Sequence, residues 1–216
     1  NYKETVITER TCGSDGTSKF ECIACGYSNT ETTYATAQHT DEDANNTCDV
    51  CSTSLECGDG ITWSIDENGV LTITGAGAIT SYPWSKHRNI IKAVVISEGI
   101  TSVCSYAFSN CYSLTEIAIP ASVTKIGDYA FNYCNNLKTV TFAEESQLQI
   151  IGKGAFYNCY ALTEITLPAG VTEIVEYAFY NCSKLTEIAI PASVTYIGYG
   201  AFANSAYDGV VLDSKN

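Results

Sequence analysis

The sequence predicts a mostly β solenoid. Five stacked repeats with short helical turns follow a β-hairpin cap and a small cysteine-rich module. Three observations carry this. The dipeptide Ala-Phe recurs at Ala107-Phe108, Ala130-Phe131, Ala155-Phe156, Ala178-Phe179 and Ala201-Phe202, at spacings of 23, 25, 23 and 23 residues. Aliphatic columns keep the same phase, as in Ile91, Leu114, Leu137, Leu162, Leu185 and in Val94, Ile117, Val140, Ile165, Ile188. A fixed period in this range is the mark of stacked units that bury one continuous core, since no single unit can bury its apolar face alone. Charge supplies the third observation: residues 1–60 hold eleven acidic against three basic side chains, and residues 91–216 hold eleven against six. The chain therefore divides into a cysteine-rich, acidic module at 1–57, a capping segment at 58–90 and the solenoid with its C-terminal cap at 91–216.

The head carries Cys22-Ile23-Ala24-Cys25 and Cys48-Asp49-Val50-Cys51, two C-x-x-C pairs separated by 22 residues. Two such knuckles present four thiolates to one tetrahedral zinc, as in zinc ribbons, and a closed four-sulfur shell is structural because it leaves no open position. The competing reading is a disulfide framework, which small extracellular modules use in place of a large core, with Cys12 and Cys57 as one pair. Asp41, Asp43, Asn45, Thr47 and Asp49 alternate like the start of a calcium loop. Asn46 stands where that loop needs Gly, and Ser52 where it needs a bidentate Glu, so calcium is the weaker metal reading. His39 lies in a polar stretch between the knuckles and reads as solvated.

Residues 61–74 read as a hairpin, two alternating runs around Asp66-Glu67-Asn68-Gly69, with Asn-Gly supplying the positive φ of a tight turn. Its role is to cover the first repeat, whose core and strand edges would otherwise face solvent. Val210-Val211-Leu212 is expected to do the same at the far end.

Within a repeat, Leu114-Thr115-Glu116-Ile117-Ala118-Ile119 alternates as a strand and stops at Pro120, which lacks the amide to continue a ladder. Val123-Thr124-Lys125-Ile126 is a second extended piece, and Asp128–Asn132 is predicted as one helical turn. The single 25-residue unit is explained by Ala143-Glu144-Glu145-Ser146-Gln147, a surface insertion of two residues. Cys111, Cys134, Cys159 and Cys182 share one column. Stacked coils lie ~4.8 Å apart, yet ladder side chains run parallel rather than toward each other, so these thiols are read as reduced packing residues.

The motif L-x-x-I-x-I-P-x-x-V-x-x-I-G-x-x-A-F-x-N-C over residues 91–207 resembles the BspA-like (Treponema-type) leucine-rich repeats of bacterial surface proteins. The stretch from Cys57 to Ile65, with Gly69–Ile73 and Pro83-Trp84, is similar to the segment that precedes such repeats. The resemblance implies a leucine-rich-repeat solenoid of the α/β horseshoe class. It also implies an extracellular, cell-surface module that engages host or neighbouring-cell macromolecules, protein or glycan. Cys104 and Val175 depart from the pattern where it has Gly, Tyr133 where it has Asn, and Ser205 where it has Cys.

Composition narrows function independently. With 24 acidic against 11 basic side chains the net charge is −13, which disfavours nucleic acid and anionic membranes as partners. No apolar run approaches the ~18–20 residues of a membrane span. The chain opens on Asn1-Tyr2-Lys3-Glu4 and reads as a mature or trimmed fragment. No nucleophile elbow, zinc-protease helix or phosphate loop is present, and His87 has no orienting partner at a recognisable spacing. The sequence thus points away from an enzyme and from a small-molecule substrate. It leaves a recognition or adhesion module and, as the alternative, a spacer within a larger surface protein. For recognition, the candidates are the outward strand column Glu116, Glu164 and Glu187, together with Tyr196 and Tyr199. These two tyrosines sit in columns that otherwise hold Ser, Lys, Ile, Asp or Glu, so packing does not demand them.

Overall fold

The computed structural model describes residues 56–206 and three isolated strands, Glu21–Cys22, Tyr27–Ser28 and Val211–Leu212. Residues 56–206 form a stack of coils in which each coil contributes one strand to each of two parallel ladders. The first ladder runs through Val70–Thr74, Ala93–Ile96, Glu116–Ile119 and Thr139–Phe142, and resumes with Glu164–Thr166, Glu187–Ile190 and Val211–Leu212. The second runs through Gly77–Ala78, Ile100–Val103, Lys125–Ile126, Ile150–Ile151, Glu173–Ile174 and Tyr196–Ile197 without interruption. Register follows the sequence columns: Glu116 lies opposite Thr139, Ile117 opposite Val140, and Lys125 opposite Ile150.

Six coils are present, one more than the Ala-Phe count. Val70–Thr74 does form the expected hairpin, pairing antiparallel with Ile61–Ile65, but its other edge pairs in parallel with Ala93–Ile96. It is therefore the first rung of the solenoid as well as an arm of the cap. In the turn, Gly69 alone takes positive φ (80°). Asp66 holds the loop by accepting from the amides of Asn68 and Val70 at 2.9 and 2.8 Å, so Asn68 has no need of the left-handed region. Val211–Leu212 pairs with Ala189–Ile190, covering the last strand of the first ladder as expected.

The interior is built by the columns. Phe108, Phe131, Phe156 and Phe179 are fully buried and stack face to face at 5.2 Å between successive rings. A third set of inter-coil bonds accompanies them: the amides of Phe108, Phe131 and Phe156 each donate to the Ala carbonyl of the following coil at 2.8 Å. Cys134, Cys159 and Cys182 are buried, and their thiols donate to the carbonyls of Phe108, Phe131 and Phe156 at 3.1–3.2 Å. Parallel side chains thus find carbonyl partners rather than each other, and Ser205, in the last coil, donates instead to Phe202.

The first coil has no Ala-Phe. Its place is taken by a short 3-10 turn, Pro83–His87, whose Trp84 is buried and stacks on Phe108 at 5.8 Å. The Trp84 indole Nε1 donates to the Ala107 carbonyl at 2.7 Å, the group that in later coils is served by a backbone amide.

The segment predicted as one helical turn is instead a run of tight turns. Ala130 donates to Gly127, Asn132 to Tyr129, and Cys134 to Phe131. A helix cannot propagate because one residue at the start of this run and one at its end are left-handed in each of the five Ala-Phe coils. At the first position stand Tyr106, Tyr129, Gly154, Tyr177 and Gly200, all with φ between 55° and 64°. At the second stand Asn110, Tyr133, Asn158, Asn181 and Asn204, between 58° and 63°. The alternation of Tyr with Gly has a steric cause. A Cβ on Gly154 would lie 2.4 Å from the Tyr129 ring, and one on Gly200 would lie 2.8 Å from the Tyr177 ring. Each glycine is the floor on which the preceding coil's tyrosine lies.

Candidate functional site

Because the turn after the second ladder carries Phe inward, its neighbours face outward, and in this chain those neighbours are tyrosines. Tyr106 stacks on Tyr129 (5.3 Å, 14°), and Tyr129 meets Tyr157 at 6.4 Å. Tyr157 stacks on Tyr180 (4.7 Å, 15°), Tyr180 meets Tyr177 edge-on at 5.6 Å, and Tyr177 meets Tyr199 edge-on at 5.7 Å. Tyr133 joins beside Tyr157 at 6.2 Å. The result is an unbroken ridge of seven phenols over five consecutive coils.

Its members are unequally covered. Tyr106, Tyr133 and Tyr199 are 44, 39 and 78% exposed, while Tyr129, Tyr157, Tyr177 and Tyr180 are half-buried between them. Desolvation pushes the Tyr157 phenol up, with the neighbouring phenols of Tyr180, Tyr133, Tyr129 and Tyr160 adding to the effect, so it stays neutral at physiological pH. An uncharged, rigid aromatic ridge on a chain of net charge −13 is a surface suited to apolar contact with hydroxyl hydrogen bonds at its crest.

Sequence reasoning found one end of this ridge. Tyr199 is its last ring. Tyr196 lies in the second ladder opposite Glu173 and donates its hydroxyl to Glu176 Oε1 at 2.9 Å, and this bond to a carboxylate raises its phenol pKa. The two tyrosines thus both contact coil five, through Glu176 and Tyr177. The other ridge members were missed because a tyrosine recurring in one column reads as packing. The available signal was the strict exchange of Tyr for Gly at 106, 129, 154, 177 and 200, which demands an open position beside a flat ring.

Glu116, Glu164 and Glu187 belong to a different face, the outward side of the first ladder. Glu164 lies directly opposite Glu187, so two carboxylates stand one strand spacing apart, while Glu116 is separated from them by Thr139. Small residues around Glu116, among them Ala93, Val95 and Ala118, leave a shallow trough of about 340 Å³.

Of the proposed zinc ligands, Cys22 ends a two-residue strand that pairs antiparallel with Tyr27–Ser28. Cys25, Cys48 and Cys51 lie outside the described residues, as do Cys12, His39 and the 41–49 acidic run. Cys57 is buried and its thiol contacts the Ile61 carbonyl at 3.6 Å. His87 is buried in the cap, 6.4 Å from the Trp63 ring. Among the described residues no cluster of His, Cys, Asp or Glu is arranged to hold a metal ion, and no helix is long and apolar enough to cross a membrane.

Comparison with known proteins agrees with this architecture. The BspA-type leucine-rich repeat region matches residues 78–209 in six copies, the number of coils in the stack. Two solved structures superpose well. A leucine-rich repeat protein of T. pallidum has 25% identity and a TM-score of 0.54, over 70% of this chain and 68% of that one. A leucine-rich cell surface protein of Faecalibacterium prausnitzii has 25% identity and a TM-score of 0.53, over 74% of this chain and 40% of that one. Sequence comparison with curated proteins gives no match.

Proposed function

The chain belongs to the BspA-type leucine-rich repeat family, and from that premise we propose that it is a non-enzymatic recognition module. It acts at the bacterial cell surface and binds a protein of a host or neighbouring cell along its tyrosine ridge. One observation carries the reading, the continuity of the ridge from Tyr106 to Tyr199. The solenoid core is closed by the buried Phe, Cys and aliphatic columns, and the second aromatic row lies outside it. Tyrosine spends little conformational entropy on binding and supplies both apolar area and a hydroxyl, which is why interface energy concentrates in such side chains. Stacking of Tyr106 on Tyr129 and of Tyr157 on Tyr180 fixes the rings before any partner arrives, which lowers the ordering cost of association. The surface location draws on the likeness to the leucine-rich cell surface protein of F. prausnitzii.

The test is a binding screen of the full chain against extracellular-matrix and epithelial surface proteins. The comparison variant carries Tyr106→Ser, Tyr133→Ser and Tyr199→Ser. These three are the most exposed ridge members, so the melting temperature should hold. Affinity for any partner found should fall at least about tenfold, since anchors of this kind are worth ~1–2 kcal/mol or more each. Undiminished binding would remove the ridge from the site, and a wild-type chain that binds nothing in the screen would leave the spacer role standing.

A further inference from the structure

The first ladder is broken once. Thr139–Phe142 pairs with Glu116–Ile119 on one side, and Glu164–Thr166 pairs with Glu187–Ala189 on the other, but among the described residues no ladder joins the two. The break coincides with the two-residue insertion. That segment is tied back toward the preceding coil: Ala143 donates to Ile119 at 3.0 Å and Gln147 to Ala121 at 2.9 Å. Glu145 adopts a left-handed φ of 58° to complete the loop. The strand of coil four thus keeps its ladder to coil three, while the strand of coil five lies beside it without ladder bonds.

A groove of about 610 Å³ fills the parting, lined by Thr139, Thr141, Glu145, Glu164, Thr166 and Pro168 among others. In a parallel ladder, alternate residues direct their amide and carbonyl to either neighbour. Both walls of the groove therefore offer backbone donors and acceptors that a continuous ladder would have consumed.

The occupant follows from shape and chemistry. An inserted peptide strand would need walls about 9.6 Å apart, two strand spacings. The same two coils remain joined elsewhere at one spacing: Ile150 pairs with Glu173 in the second ladder, and Phe156 stacks on Phe179 at 5.2 Å. The parting is thus a wedge, open at the outward face and closed at the core. It admits a compact ligand and no strand. Glu145 and Glu164 at its rim disfavour anions. The rest of the lining combines threonine hydroxyls, which donate and accept, backbone amides, which donate, and backbone carbonyls, which accept, with apolar side chains such as Phe142 and Leu167. Carboxylates accept from paired hydroxyls, and Phe142, Leu167 and Pro168 give apolar surface for a sugar ring to lie on. We propose that this wedge is a binding site for a neutral saccharide, held by hydroxyl bonds to Glu164, Thr139, Thr141 and Thr166 and to the unpaired ladder groups.

The site is separate from the tyrosine ridge, and the experiment keeps the two apart. The full chain is applied to an array of neutral, sialylated and sulfated oligosaccharides, and the strongest neutral ligand is titrated calorimetrically alongside a tetralysine peptide. Neutral glycans should bind. Glu164→Gln and Thr166→Val should each weaken the titrated glycan about tenfold or more, the loss expected when a hydroxyl loses its partner in a site built for it. Removal of Glu144 and Glu145, which restores a 23-residue unit, should abolish binding with the fold intact by circular dichroism. Glu187→Gln, one coil beyond the wedge, and the ridge triple variant should change nothing. The proposal is overturned by binding of anionic glycans or tetralysine alone, by no neutral binding at millimolar concentration, or by neutral binding that Glu164→Gln and Thr166→Val leave intact.

Discussion

Phe156→Ala is expected to lower stability by about 3–5 kcal/mol, the cost of truncating a buried aromatic side chain and leaving its cavity. The position is demanding for a specific reason. Phe156 is the middle ring of the stack, 5.2 Å from Phe131 and 5.2 Å from Phe179, so its removal strips a face from each neighbour. In a solenoid each coil is stabilised only by the coils beside it. The same change therefore weakens the interface between the two halves and should broaden the urea transition as well as shift it. Glu116→Ala is the matched control. It lies on the exposed side of the first ladder and should stay within about 0.5 kcal/mol. Similar losses at both positions would mean that the coil phase is misassigned.

Trp84→Ala should cost a comparable amount, about 3–5 kcal/mol, because it removes the ring that closes the Phe stack at its open end. A second variant separates packing from hydrogen bonding. Trp84→Phe retains a ring to stack on Phe108 but has no indole N–H, so the Ala107 carbonyl loses the donor now 2.7 Å away. Leaving a buried acceptor unpaired costs about 1–3 kcal/mol, and denaturant titration should place this variant between wild type and Trp84→Ala. If Trp84→Phe matched wild type, the indole bond would contribute nothing to closing the stack.

The core was legible in the sequence because solenoid packing repeats. Ile117, Val140 and Ile165 announce their burial by recurring at one phase, and all three are at most 4% exposed. The first coil was harder to see. Leu71 and Ile73 stand 23 residues before Val94 and Ile96, and Trp84 stands 24 before Phe108, but the hairpin reading absorbed the strand and Trp hid the Ala-Phe signature. The tyrosine ridge was legible only at Tyr199. Ring stacking across coils depends on the left-handed backbone at 106, 129 and 177, which a periodicity argument does not reveal. The ladder break is the opposite case: the insertion at 143–147 was plain, but its effect depends on which neighbouring coil the inserted residues bond to. The cysteine column reads as packing from its recurrence, and its burial agrees. Its hydrogen bonds to the Phe carbonyls came from geometry alone.

The whole account rests on the register that turns Phe and Cys inward and tyrosine outward. Its most direct test is alkylation of Cys111, Cys134, Cys159 and Cys182 by iodoacetamide, followed by peptide mass spectrometry. All four are fully buried. Desolvation pushes Cys111 and Cys182 up to about 12 and also raises Cys134 and Cys159 well above the usual thiol range, so both access and thiolate are lacking. The account predicts that the native protein leaves these four unmodified over hours and that denaturation exposes all of them to reagent. Rapid labelling of the column in the native state would contradict it, since those side chains, and with them the Phe stack, would then face solvent.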